Sequence, residues 1–223
     1  MHQKDIVYFS YNSQKELDIK ATKFIIKKAA LSIKNSGKFS LVLSGGTTPV
    51  NVYKLLAKEK INFEKWCIYF GDERCFPLNH PERNSYVAQS IWLSKVNIPK
   101  ANIFIIPAEA GNEEAAISYE KVLDSEKAFD LVILGMGDDG HTASLFPNQK
   151  WDDLRQVIPI KDAPKSPSDR VSLTPSRLSN SDEVLFLIAG KNKLNAFNQY
   201  KSEGNLPANS ISALNKISVM TFD

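Results

Sequence analysis

An alternation of short apolar runs with helix-period segments constrains this chain more than any other feature. The runs fall at residues 6–9, 40–43, 66–70, 103–106, 131–134, 157–160, 184–189 and 217–221. They are too short for buried helices, and several are apolar at consecutive positions, which suits a strand covered on both faces. Between the first two runs, residues 14–35 set Leu17, Ala21, Phe24, Ile25, Ala29 and Ile33 largely at three- and four-residue spacing, with lysines filling the other face. Similar patterns over 49–60, 85–96, 112–125 and 191–202 predict further helices. The fold expected is α/β: a single-domain, doubly wound, mostly parallel sheet flanked by helices in a Rossmann-like three-layer arrangement.

Composition limits what such a fold serves. With 223 residues, 43% of them hydrophobic, the chain can bury one sizeable core, and no composition break divides it, so residues 1–223 are expected to form one domain. A formal net charge of +3 is too small for a nucleic-acid groove and fits a small anionic ligand. No apolar run approaches the roughly 18 residues that span a bilayer, and no signal-peptide core is visible. The expectation is a cytoplasmic protein without membrane or nucleic-acid partners, a monomer or weak dimer. Cys67 and Cys75 match no zinc or redox spacing and read as free thiols; His2, His80 and His141 are scattered, so neither a metal nor another cofactor is expected. The stretch KDAPKSPSDR, residues 161–170, reads as a loop.

Ligands of open α/β sheets collect at the carboxyl ends of strands, and three such ends are rich in chemistry. One run leads into Ser44, Gly45, Gly46 and Thr47, with Pro49 where the first helical position is expected. Glycines allow close approach, hydroxyls donate, and a helix start offers free N–H groups, so the turn suits a phosphate; an ordinary capped turn is an equal alternative. A second run ends in Gly71-Asp72-Glu73-Arg74. Arginine there can grip a phosphate or carboxylate with two prongs, although an isolated charge triplet is more often a solvated turn. The third, GMGDDGH, brings Gly135, Gly137 and Gly140 around Asp138, Asp139 and His141. A histidine two residues after an aspartate can serve as a general base, and a purely structural histidine is at least as common.

LSGGTTP, GDERCFP, HPERNSY, GMGDDGHTASLFP and RVSLTPSRL occur in this order, and together they resemble the 6-phosphogluconolactonase family, which shares a superfamily with glucosamine-6-phosphate isomerase/deaminase. The resemblance implies that His141 activates water with Asp139 beside it. It also implies that Ser44, Gly45, Gly46, Thr47 and Arg74 surround a sugar phosphate, with Arg170 and Lys193 lining the same pocket. Asp72, Asn84 and Gly137 take supporting places. The family often has Ser-Asn where this chain has Arg83-Asn84, so Arg83 inherits no role. The expected partner is a small sugar-phosphate lactone.

Lactone opening needs one water delivered to an electrophilic ester carbon, and a positioned base contributes roughly 10²–10⁴-fold. Ser44 and Ser144 are the tempting nucleophiles, but neither sits in a Gly-x-Ser-x-Gly elbow, which disfavours an acyl-enzyme. Two alternatives remain in competition: an aminosugar-phosphate isomerase/deaminase, and a non-catalytic sugar-phosphate sensor. The deaminase pattern resembles FNEP where this chain has Ser144-Leu145-Phe146-Pro147, and here no carboxylate follows His141 until Asp152. A sensor would be expected to lose its base and to carry a further effector segment.

Overall fold

The computed structural model describes residues 5–202 and 204–222. The elements run β1 (Ile6–Ser10), α1 (Gln14–Ser36), β2 (Phe39–Leu43), α2 (Thr47–Leu56), β3 (Trp66–Phe70), β4 (Asp72–Arg74), α3 (Asn84–Ile91), α4 (Asn112–Leu123), β5 (Phe129–Leu134), β6 (Val157–Ile160), β7 (Arg170–Leu173), α5 (Pro175–Ser179), β8 (Ser181–Ala189), α6 (Leu194–Lys201) and β9 (Lys216–Phe222). Six of the strands form a wholly parallel sheet in the order β1-β9-β8-β5-β2-β3. Its centre is as apolar as covered faces require: Leu131, Val132, Ile133 and Leu134 of β5 are all fully buried. Each such side chain contributes about 1.5–3 kcal/mol relative to exposure. Helix α1 lies across β2, β5 and β9, capped by the Ser13 hydroxyl accepting from the Glu16 N–H.

The strand order positions the site. From β2 the chain first steps outward to β3, then returns to lay β5 on the other side of β2 and builds on through β8 and β9. The loops after β2 and β5 therefore leave the sheet in opposite directions and open a crevice between them, the switch point where ligands of such sheets bind. Ser44 to Thr47 follow β2, and Gly135 to His141 follow β5.

A second, three-stranded antiparallel sheet, β4-β7-β6, departs from a purely single-sheet expectation. Gly71 is the junction: its N–H donates to Leu43 and its carbonyl accepts from Leu173, so the chain leaves β3 and turns into β4. Strands β4 and β7 begin in charged residues with little intrinsic strand preference and exist because they pair with each other, so period alone missed them. Run 157–160 belongs to this small sheet, at an edge where Pro159 removes no needed donor. Residues 161–169 remain loop, but Arg170 already belongs to β7.

Run 103–106 forms no strand. Ile103 makes a single bridge to Ile68, after which side chains claim the carbonyls that a ladder would use: the Tyr119 hydroxyl donates to Phe104 and the Arg83 guanidinium to Ile106. Helix α2 starts at Thr47 rather than Pro49, which is tolerated in the first turn because N–H groups there lack helical partners. Helix α3 ends at Ile91 and α6 starts at Leu194; short 3₁₀ turns at Leu93–Lys95 and Lys191–Lys193 fill the remainder of those expected helices. The capped turn α5, started by the Thr174 side chain and Pro175, had no apolar period to announce it. Both described cysteines are free, and burial pushes the Cys75 thiol up to about 11, leaving it un-ionised at neutral pH.

Candidate functional site

A cleft of about 590 Å³ opens at the switch point. It is lined by Ser44, Gly45, Gly46, Thr47, Asp72, Arg74, Asn84, Gly137, His141, Arg170 and Lys193, which brings together every expected site residue except Asp139. Asp139 stands behind the histidine instead.

The loop after β5 is wound tightly enough to present one ring. The Gly137 N–H donates to the His141 carbonyl at 2.8 Å, and the Thr142 hydroxyl donates to the Gly135 carbonyl at 2.9 Å. Within that turn His141 Nδ1 lies 2.5 Å from Asp139 Oδ1, and the His141 backbone N–H donates to the same oxygen at 3.1 Å. Burial pushes the Asp139 carboxyl up, but the His141 N–H and imidazole outweigh it and hold it below the ordinary carboxylate value. An ionised carboxylate on Nδ1 keeps the proton there and leaves Nε2 as the acceptor. The Phe146 ring flanks the imidazole, with centroids 4.9 Å apart.

The opposite wall is built by β2, β4 and α3. Tyr53 of α2 fixes the Ser44 backbone, its hydroxyl accepting from the Ser44 N–H and donating to the Ser44 carbonyl. Gly45 must lack a side chain, because a Cβ there would run into the Asn84 amide. That amide donates to the Asp72 carbonyl and to Asp72 Oδ1, while Ser144 donates its hydroxyl to Asp72 Oδ2 at 2.7 Å. Ser144 is fully buried and committed to Asp72, so it is no nucleophile. Ser44 Oγ, by contrast, is buried without a partner.

Asp72-Glu73-Arg74 is no solvated turn. Asp72 and Glu73 are buried, and Glu73 accepts from the backbone N–H groups of Arg74, Asn84 and Ser85, each at 2.8 Å. It thereby caps α3, where a carboxylate is favoured. Fully buried Arg83 stands beside it, Nε 3.6 Å from Glu73, and donates to Glu109 and to the Phe76 and Ile106 carbonyls. Arg83 therefore braces the wall rather than facing the cleft.

Arg74 and Arg170 are directly opposite in the β4–β7 register. Like charges so placed repel, and a bound anion relieves that repulsion. Burial draws the Arg170 guanidinium below its ordinary pKa, with Asp72 opposing and Arg74 reinforcing the shift. Arg74 Nε is buried without a partner while Nη1 donates to the Glu82 carbonyl. Arg170 is more occupied than its sequence position suggests: its Nε and Nη2 donate to the carbonyls of the 165–167 loop. Lys193 closes the side of the cleft next to β8, half-buried.

The family model described as glucosamine-6-phosphate isomerases/6-phosphogluconolactonase matches residues 12–219. The chain belongs to this family. It is 35% identical over 195 residues to a 6-phosphogluconolactonase of Nostoc sp., covering 83% of this chain and 81% of that protein. It is also 34% identical over 219 residues to the Homo sapiens 6-phosphogluconolactonase, covering 89% and 83% respectively. The fold superposes on the crystal structure of 6-phosphogluconolactonase from Thermotoga maritima with a TM-score of 0.90 at 29% identity, over 98% of this chain and 100% of that one. A monomeric glucosamine-6-phosphate deaminase shares the fold at a TM-score of 0.82 and 20% identity.

Sequence reasoning overlooked several of the residues that line this cleft. Lys165, Ser166 and Glu82 also line the cleft. The two loop residues carried no motif, and only their adjacency to Arg170 could have drawn them in. Among the described residues no group of three or more His, Cys, Asp or Glu side chains is arranged to hold a metal ion, and no helix is long and apolar enough to cross a membrane. His2 lies outside the described residues.

Proposed function

We propose that this cleft hydrolyses 6-phospho-D-glucono-1,5-lactone to 6-phosphogluconate by general-base activation of water. The observation that carries the reading is a single imidazole, oriented by Asp139, in the same cleft as two opposed arginines. Nε2 of His141 takes a proton from water as its oxygen adds to the lactone carbonyl. The tetrahedral adduct then collapses, the bond from C1 to the ring oxygen breaks, and the imidazolium returns the proton to that oxygen. Water is consumed, and a carboxylic acid and a free hydroxyl result. The phosphate is a remote handle whose binding energy, through Arg74 and Lys193 and the charge of Arg170, holds the carbonyl against the histidine. Asp72 and Asn84 are suited to the sugar hydroxyls. No cofactor is required by this sequence of steps.

The isomerase/deaminase reading is less well supported. Aldose–ketose conversion with amine release needs proton transfer at more than one carbon, hence a further acid–base group beyond the histidine. Leu145 and Phe146 stand four and five residues after His141, Leu145 fully buried and Phe146 against the imidazole. A small-molecule enzyme of the cytoplasm, working as a monomer or weak dimer, completes the proposal. Acid release from freshly generated lactone, measured above the spontaneous rate, tests it, with ammonia release from glucosamine 6-phosphate as the counter-assay. Ammonia without accelerated lactone opening would reverse the assignment.

A further inference from the structure

We propose that Lys165 is a substrate-contacting residue, exchanging the Asp138 carboxylate for the substrate's phosphate, and that Arg170 is the positioning residue that presents it. The inference rests on the phosphate-handle reading above. Arg170 Nε donates to the Pro167 carbonyl at 3.1 Å, and Nη2 to the Lys165 carbonyl at 2.9 Å and the Ser166 carbonyl at 3.4 Å. Three successive carbonyls of one loop thus turn to one guanidinium. That guanidinium sits over the Phe146 ring, 5.5 Å from its centroid, and Phe146 packs on His141. An arginine spent on loop backbone is poorly free to grip an anion with two prongs. What it delivers instead is the loop, whose Lys165 and Ser166 line the cleft.

Lys165 Nζ lies 3.3 Å from Asp138 Oδ1, and the two side chains are 60% and 51% exposed. An ion pair that open to water is weak and exchangeable. Lys165 holds the Asp138 carboxyl below its ordinary value, with a smaller long-range attraction from Lys193. A phosphate carrying close to two charges and three acceptor oxygens is a stronger partner for the same cations. In this reading Asp138 keeps Lys165 until the phosphate arrives, and Lys165 then changes partner.

The test compares Lys165→Ala, Lys165→Arg and Asp138→Asn, with binding of 6-phosphogluconate and of unphosphorylated gluconate measured by calorimetry. Losing one charge-assisted contact should weaken 6-phosphogluconate about tenfold in Lys165→Ala, and Lys165→Arg should keep most of the affinity. Gluconate binding should not change. Asp138→Asn removes the competitor, so it should tighten 6-phosphogluconate. If the ion pair only holds the loop, Lys165→Ala and Asp138→Asn break the same bond and shift both ligands in the same direction, which overturns the proposal. An unchanged affinity in Lys165→Ala overturns it equally. If Arg170 acts through Lys165, adding Lys165→Ala to Arg170→Ala should weaken 6-phosphogluconate no further; additive losses refute the positioning role. Lactone hydrolysis by the wild-type protein is read separately, so a protein that binds 6-phosphogluconate without opening the lactone removes the catalytic reading while these shifts still decide Lys165.

Discussion

Gly137→Ala should cut turnover by about 10²–10⁴-fold while sparing the fold. A Cβ built on Gly137 would stand 2.5 Å from Asp139 Oδ1 and well inside van der Waals contact of Nδ1 and Cε1 of His141. The backbone at Gly137 does not occupy the left-handed region, so alanine itself is no strain on the chain. The collision therefore falls on the imidazole–carboxylate pair, which must separate or swing aside. Misplacing a reacting group by about 1 Å can cost 10²-fold, and losing a general base altogether costs roughly 10²–10⁴-fold. The expected loss in kcat spans that range, or about 2.7–5.4 kcal/mol of barrier. The imidazole and carboxylate side chains are 20% and 38% exposed, so the stability given up is small, about 1 kcal/mol or roughly 2–4 °C in a chain of this size. Initial rates of acid release, corrected for spontaneous opening, give kcat; calorimetry with 6-phosphogluconate and a thermal scan separate chemistry from binding and folding. A kcat within about threefold of wild type would refute the idea that bare backbone at this position holds the base in place.

Other outcomes follow from the same walls. Arg74→Ala should raise KM for the 6-phosphorylated lactone by about 10–100-fold, the range of a charged hydrogen bond, and leave kcat/KM for the unphosphorylated lactone unchanged; equal losses on both substrates in a rate comparison would remove Arg74 from the handle. Arg83→Met takes the cation from beside buried Glu73 and should cost about 3 kcal/mol, roughly 6–12 °C in Tm, with kcat kept in the folded fraction. Glu120 is pushed up by burial but held below its ordinary value overall by Arg155 and the Val157 and Gln156 N–H groups. Its folded pKa is thus below its unfolded one, so its contribution to stability is present above about pH 4.3 and is lost as pH falls through the depressed folded value. The Tm gap between wild type and Glu120→Gln should shrink on acidification in a pH series of thermal scans; a gap independent of pH would contradict that sign.

Local chemistry wrote much of this protein into its sequence. Central strands such as β5 are legible because residues 131–134 are apolar at four consecutive positions, and α1 because its apolar residues recur at helical spacing, each pattern arising from burial that a single element requires. The glycine turns after β2 and β5 and the Asp139–His141 spacing are likewise local, since one short loop makes that contact. Strands β4 and β7 are not legible in that way: Asp72-Glu73-Arg74 looks like a solvated turn until residues nearly a hundred positions later pair with it. The same pairing sets Arg74 opposite Arg170, turns Glu73 into a helix cap and buries Arg83 beside it. Arg170 and Lys165 make the point most sharply, because a basic residue in sequence carries only its charge. Whether that charge grips a ligand, holds a loop or waits on a neighbouring carboxylate is decided by which acceptors the tertiary fold brings within about 3 Å, where hydrogen bonds and ion pairs form.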